Sequence, residues 1–192
     1  LSYGSRAELS NSAGEWGLTY HQDPSKSLQG IGQIGIPVYG SHNRLAIDYR
    51  YDGFIGFWNE SALIRSNKSD IIMATVGADY TLPIANGLLV MAEYMSISNK
   101  IDSGELSQSY TAIMASMPLG MVHQIMFISQ FDLEENHSYN YLRWSSSYDH
   151  YSLNFTLSIS PKRADYNLLE EHLRRSLAGF GTEFQFMFIY NH

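Results

Sequence analysis

At 192 residues with a formal net charge of -7 and no cysteine, the chain has material for one domain and excludes a disulfide framework or a thiolate metal site. The acidic balance lacks the basic footprint that phosphate backbones require, which excludes nucleic acid as a partner. No run approaches the ~20 apolar residues of a transmembrane helix, and a start at Leu1 without a signal peptide fits a mature or truncated product.

In chain order, Tyr3–Ser10 alternates Tyr3, Ala7 and Leu9 against Arg6 and Glu8, and Asn11-Ser12-Ala13-Gly14 reads as a turn. Glu15–Gln22 follows, with Trp16, Leu18 and Tyr20 opposed to Glu15, Thr19 and His21. A period of two marks a strand whose faces meet different surroundings. Asp23 to Asn43 is either a long loop or holds a strand over Ile31–Tyr39, which Pro37 would push to an edge or a bulge. Arg44–Tyr51 sets Leu45, Ile47, Tyr49 and Tyr51 against Ala46, Asp48 and Arg50.

Asp52-Gly53 is a hairpin signal, and Phe54–Arg65 is the return strand. A two-residue turn would set Glu60 among the apolar side chains. A three-residue bulged turn flips the parity and joins Glu60 and Trp58 to the polar set, the reading favoured because a carboxylate on a lipid face is costly.

The clearest unit is Asp70–Asn99, two runs around Pro83-Ile84-Ala85-Asn86-Gly87. Ile72, Ala74, Val76, Ala78, Tyr80 and Leu82 oppose Thr75, Gly77, Asp79 and Thr81; Leu88, Val90, Ala92 and Tyr94 oppose Leu89, Met91, Glu93 and Met95. After a polar loop at Lys100–Gln108, Ser109–Met117 and Val122–Asp132 flank Pro118-Leu119-Gly120-Met121. Tyr139–Ser145 and Tyr151–Ser160 flank Ser146–His150. In the latter strand Tyr151, Leu153, Phe155, Leu157 and Ile159 oppose Ser152, Asn154, Thr156 and Ser158.

Arg163–Ala178 changes rhythm: Leu168, Leu169, His172, Leu173 and Leu177 have helical spacing, so a short helix in a long loop is expected. Gly181–Tyr190 closes the series, with Phe184, Phe186, Phe188 and Tyr190 against Glu183 and Gln185.

Short turns at 11–14, 52–53, 83–87, 118–121 and 146–150 alternate with longer loops at 23–43, 66–70, 98–108, 133–138 and 161–180. That asymmetry, runs of roughly ten residues, a 14% aromatic content led by 14 Tyr, and four lysines (Lys26, Lys68, Lys100, Lys162) confined to expected loops all suit an antiparallel transmembrane β-barrel. A soluble β-sandwich would scatter lysine along exposed strand faces. The reading is one β-barrel domain over 1–192 with 11–12 strands and one loop helix. Bacterial single-chain barrels have even strand numbers, so either Ile31–Tyr39 is a twelfth strand or N-terminal strands precede Leu1.

The final strand GTEFQFMFIY resembles the C-terminal strand of Gram-negative outer-membrane proteins, whose alternating aromatics the barrel-assembly machinery recognises. That family normally closes on an aromatic, whereas Asn191-His192 trail Tyr190 here. NRLAIDYRYDGFIGFWNESALI and VGADYTLPIANGLLVMAEYM also resemble later hairpins of porin-like barrels. The resemblance implies the bacterial outer membrane, a lipid bilayer and the assembly machinery as partners, and a homo-oligomer or other outer-membrane proteins as further ones. It implies no particular solute.

By alternation, Arg6, Glu8, Asp48, Arg50, Glu60, Asp79, Glu93 and Glu183 are candidates to face an enclosed lumen, where an acidic excess would favour cations. The plainer reading is that these charges pair among themselves. Tyr151, Leu153, Phe155, Leu157, Phe184, Phe186, Phe188 and Tyr190 are the candidates to face lipid. Met91, Met95, Met126, Met187 and Ile189 also fall on the lumen side, suggesting a part-filled interior or a slipped register, and Ile128 points the same way.

His150 and Ser152 share a face with Asn154 and resemble the H-x-S pair of outer-membrane lipid hydrolases, but so short a match needs its structural context. No catalytic residue, cofactor or metal site is assigned: the seven His lack ligand spacing, and three glycosylation sequons are read as chance. The function expected is a porin-like channel or transporter for passive passage of small solutes. The alternatives are a structural or assembly barrel without conductance, a hydrolase using His150 and Ser152, and a soluble ligand-binding barrel with the C-terminal phenylalanines buried inside.

Overall fold

The computed structural model describes residues 1–24, 28–31, 36–67, 69–101, 104–162 and 180–190. Its strands are β1 (Tyr3–Asn11), β2 (Gly14–Asp23), β3 (Leu28–Ile31), β4 (Ile36–Tyr39), β5 (His42–Asp52), β6 (Gly56–Ser66) and β7 (Ser69–Leu82). They continue with β8 (Leu88–Ile101), β9 (Gly104–Leu119), β10 (His123–Asp132), β11 (His137–Ser147), β12 (Tyr151–Ile159) and β13 (Thr182–Tyr190). The protein is all-β: eleven antiparallel strands form one sheet in the order β1-β2-β5-β6-β7-β8-β9-β10-β11-β12-β13. By Cα proximity the chain divides into two compact units, Leu1–Ala78 with Glu93–Ser109 and Asp79–Ala92 with Tyr110–His192.

Turn chemistry places the strand ends. The Asn11 carboxamide oxygen accepts the Ala13 N–H at 2.8 Å, and Gly14 takes φ 129°, so β1 reverses into β2 over Ser12-Ala13. Between β7 and β8 the Ile84 N–H bonds the Leu82 carbonyl at 2.8 Å and the Gly87 N–H bonds the Ile84 carbonyl at 2.9 Å. This turn holds Ala85 at φ 52° and Gly87 at φ 98°. The β5–β6 connection is the three-residue one: Asp52 pairs with Gly56, so Asp48 stands opposite Glu60 and Arg50 opposite Trp58.

Several expectations need correction. The sheet is open rather than closed into a barrel, since its strand order begins at β1 and ends at β13. Ile31–Tyr39 is not a twelfth strand. Of that stretch, Ile31 ends β3 and Ile36–Tyr39 is β4, and these two pair in a separate hairpin, Gly30 opposite Pro37. Proline there removes one ladder donor, which a small two-stranded ribbon tolerates.

The expected loops at 66–70, 98–108 and 133–138 shrink, because β6 and β7 reach Ser66 and Ser69, β8 and β9 reach Ile101 and Gly104, and β10 and β11 reach Asp132 and His137. Polar composition misled there, since polar side chains can bond across a ladder. Ser98 Oγ donates to Glu105 Oε1 at 2.7 Å. Lys100 accordingly lies in β8, whereas Lys162 lies outside the strands. Lys26, Lys68 and the helix expected over Arg163–Ala178 lie outside the described residues, among which there is no helix.

Candidate functional site

In the first unit the register sorts the charges onto one face. Glu8, Gly17, Asp48 and Glu60 form one row across β1, β2, β5 and β6, and Arg6, Thr19, Ala46 and Ala62 form the next. Arg6 reaches over β2 to the Asp48 carboxylate, donating from Nη1 to Oδ1 at 2.8 Å and from Nη2 to Oδ2 at 2.9 Å. It also donates to Glu8 Oε1 at 2.6 Å and to Thr19 Oγ1 at 2.9 Å. The fork-to-fork geometry suits a guanidinium and a carboxylate.

Gly17 makes this reach possible, because a Cβ there would sit 2.3 Å from Asp48 Oδ2 and 2.5 Å from Arg6 Nη2. Beside the pair opens a cleft of about 420 Å³, lined by Arg6, Asp48, Glu60, Met73 and Thr75 among others. Glu60, exposed and opposite Asp48, is in none of the ion pairs among the described residues. Arg50 Nε donates to Asp52 Oδ1 at 3.0 Å, and the Trp58 indole opposite Arg50 covers Gly77 of β7.

The other face of these strands is apolar and uncovered. Trp16, Leu18 and Tyr20 of β2 and Leu45, Ile47 and Tyr51 of β5 are all exposed, Leu18 at 51%. Its tyrosines mark two levels. Near the β4–β5 end, the hydroxyls of Tyr3 and Tyr20 donate to the carboxamide oxygens of Gln22 and Asn43, the latter at 3.2 Å. At the hairpin end the Tyr49 hydroxyl donates to the Ala13 carbonyl at 2.7 Å, and its ring packs on Trp16 with centroids 4.1 Å apart.

Two polar residues interrupt this face and are satisfied locally: Asn59 Nδ2 donates to the Thr75 carbonyl at 3.1 Å, and Ser61 Oγ to Asn59 Oδ1 at 3.2 Å. Ile64, opposite Arg44 on the charged face, is 1% exposed while the apolar face is bare.

The second unit repeats the division. Ile125, Trp144, Phe155 and Phe186 form one row across β10 to β13, and Phe127, Leu142, Leu157 and Phe184 the next. Phe186 is 53% exposed, and Phe155 packs on it with centroids 4.8 Å apart. At the short-turn end Tyr148 stacks on Tyr151 at 4.6 Å and Tyr151 on Phe188 at 6.0 Å. His123 stacks on Trp144 at 5.5 Å, and its Nδ1 and the Ser146 hydroxyl opposite it are buried without partners.

On the polar face, Ser116, Met126, Arg143, Thr156 and Gln185 share a row. Arg143 Nη2 donates to Asn154 Oδ1 at 2.8 Å, and Gln124 Nε2 to Ser116 Oγ at 3.0 Å.

The structure thus brings together Arg6, Glu8, Asp48 and Glu60, with Arg50 one row further along the same face. Glu183 stands opposite Ser158 on the polar face of the second unit, where Met187 lies opposite Asn154. Asp79 follows Gly77 by two residues in β7, and Glu93 lies in β8. Tyr151, Leu153, Phe155 and Leu157 are paired with Tyr190, Phe188, Phe186 and Phe184.

His150 is exposed in the β11–β12 turn, it makes no hydrogen bond to Ser152 among the described residues, and Asn154 serves Arg143 instead. Sequence reasoning missed Arg143, Gly17 and the Trp58–Gly77 contact. Arg143 was legible from the alternation of Tyr139–Ser145; the glycine contacts required the register. No protein-family model, curated protein or solved structure matches this chain.

Proposed function

We propose that the sheet closes into a transmembrane β-barrel of the bacterial outer membrane and acts as a porin-like channel for passive passage of small solutes. One observation carries this reading: large apolar side chains are exposed along one face while charges gather on the other. In water such a face costs about 25 cal/mol per Å², whereas against hydrocarbon it costs nothing.

The dimensions agree. From Tyr51 to Asn43 the apolar side of β5 runs eight residue steps, roughly 26 Å of strand, or about 20 Å of bilayer at a ~40° tilt, near the ~25 Å apolar band of such barrels. Tyrosine hydroxyls bonded at both levels suit the two interfaces. Barrel closure also gives the exposed edges β1 and β13 ladder partners. The aromatic β13 suits recognition by the assembly machinery, as its resemblance implies.

The polar face then lines the lumen. Asp48 and Glu60 outnumber Arg6 in the lining of the cleft, and Glu8 pairs with Arg6 beside it, which favours cations. Planar-bilayer recording under a salt gradient tests this. The reversal potential should show cation preference, and Glu60→Gln should reduce it without closing the pore. Protein that stays dispersed without detergent, or that inserts without conductance, would overturn the channel reading; insertion without conductance would leave a structural barrel.

A further inference from the structure

We infer that Arg143, on the polar face of the second unit, is the anchor of a binding site for an oxyanion, the carboxylate or phosphate group of a small solute. Arg143 is partly buried in β11, with Met126 opposite it on β10 and Thr156 on β12. One row to either side on these strands lie Gln124, Ser145 and Asn154, and Ile128, Tyr141 and Ser158.

Every one of those neighbours is uncharged, and the carboxylate of this face, Glu183, stands opposite Ser158 on β13, two strands from Arg143. The ion pairs of the described residues are Arg6–Glu8, Arg6–Asp48, Arg50–Asp52 and Arg65–Asp70, and Arg143 is in none of them. A partly buried cation without a carboxylate is uncommon, because proteins that desolvate a charge usually pair it.

What holds Arg143 is a neutral acceptor. Asn154, only 8% exposed, presents Oδ1 to Nη2 at 2.8 Å and so orients the fork without neutralising it. The bond to Asn154 engages one of the five guanidinium N–H groups, and the residue is only partly buried. On the same face Thr156 lies in the row of Arg143 on the adjacent strand, Gln185 follows it on β13, and Ser145 lies one row away, so hydroxyl and amide donors share this surface. A planar fork held through one nitrogen, with spare N–H groups and hydroxyl and amide side chains on the same face, is chemistry for an oxyanion. Asn154 is a positioning residue and Arg143 the binding one.

The inference does not require conductance. The full chain in detergent is titrated with inorganic phosphate and, separately, with acetate, following the arginine side-chain N–H signal that vanishes in Arg143→Lys. The expected result is a saturable shift of that signal with both anions, absent with matched chloride. Affinity should fall roughly tenfold in Asn154→Ala, which removes a hydrogen bond to a charged group. Thr156→Val tests the second donor and should weaken both anions several-fold. A shift that merely follows ionic strength, or affinities unchanged in both variants while the fold is intact by circular dichroism, would overturn the site. Neither outcome depends on whether the protein conducts.

Discussion

Substituting Gly77 with alanine tests the packing of the first unit where it is tightest. A Cβ built at Gly77 lies 2.1 Å from Trp58 Cζ2 and 2.2 Å from Cε2, whereas ordinary contact begins at 3.4 Å. The indole must therefore withdraw by more than 1 Å, and it cannot do so as a flexible chain end would, because two rings move as one plate. Overpacking of this kind costs about 1–3 kcal/mol. Trp58 is one of three tryptophans, so a Trp16→Phe, Trp144→Phe background makes its fluorescence specific. Urea unfolding in that background should show a lower midpoint with an unchanged slope, and the native emission should shift. If Gly77→Ala leaves both the midpoint and the emission where they were, Trp58 does not lie over Gly77 and the assigned β6–β7 packing is wrong.

Adjacent residues on opposite faces give a second test. Leu18→Arg should impair folding into lipid vesicles by about 2–4 kcal/mol if its face meets hydrocarbon, while Thr19→Arg on the charged face should fold nearly as wild type; equal behaviour of the two would refute the membrane assignment. Ala85→Gly should stabilise by roughly 0.5–1 kcal/mol in thermal or urea unfolding, because alanine at φ 52° carries a steric penalty that glycine avoids. Asn11→Ala removes the acceptor that closes the first hairpin at 2.8 Å and should cost about 0.5–1.5 kcal/mol by the same measurement.

How much of this was legible in the sequence follows from what is local and what is not. Side-chain alternation belongs to the pleat itself, so Trp16, Leu18 and Tyr20 could be assigned to one face and Thr19 to the other before any partner strand was known. Turn residues are equally local, and Asn11 and Gly14 marked a hairpin that the structure contains. The return from Asp52 was decided by a physical cost: placing Glu60 beside Asp48 demanded a three-residue connection, and Asp52 pairs with Gly56. Strand limits at Lys100–Gln108 failed because polar residues were equated with loop, although Ser98 and Glu105 bond across paired backbone.

The glycine-spanning contacts were beyond local reading. Arg6 and Asp48 are 42 residues apart, and their meeting depends on two successive registers and on an empty position at Gly17 between them. Arg143 differs, since its alternation was visible but a lone cation drew no attention in an acidic chain. Its significance arises only when its neighbours on β10, β11 and β12 prove uncharged, the carboxylate of the next row being Glu183 on β13. The two polar faces therefore carry unlike chemistry: carboxylates bridged by Arg6 in the first unit, and in the second an arginine held by the neutral acceptor Asn154, with Glu183 two strands away.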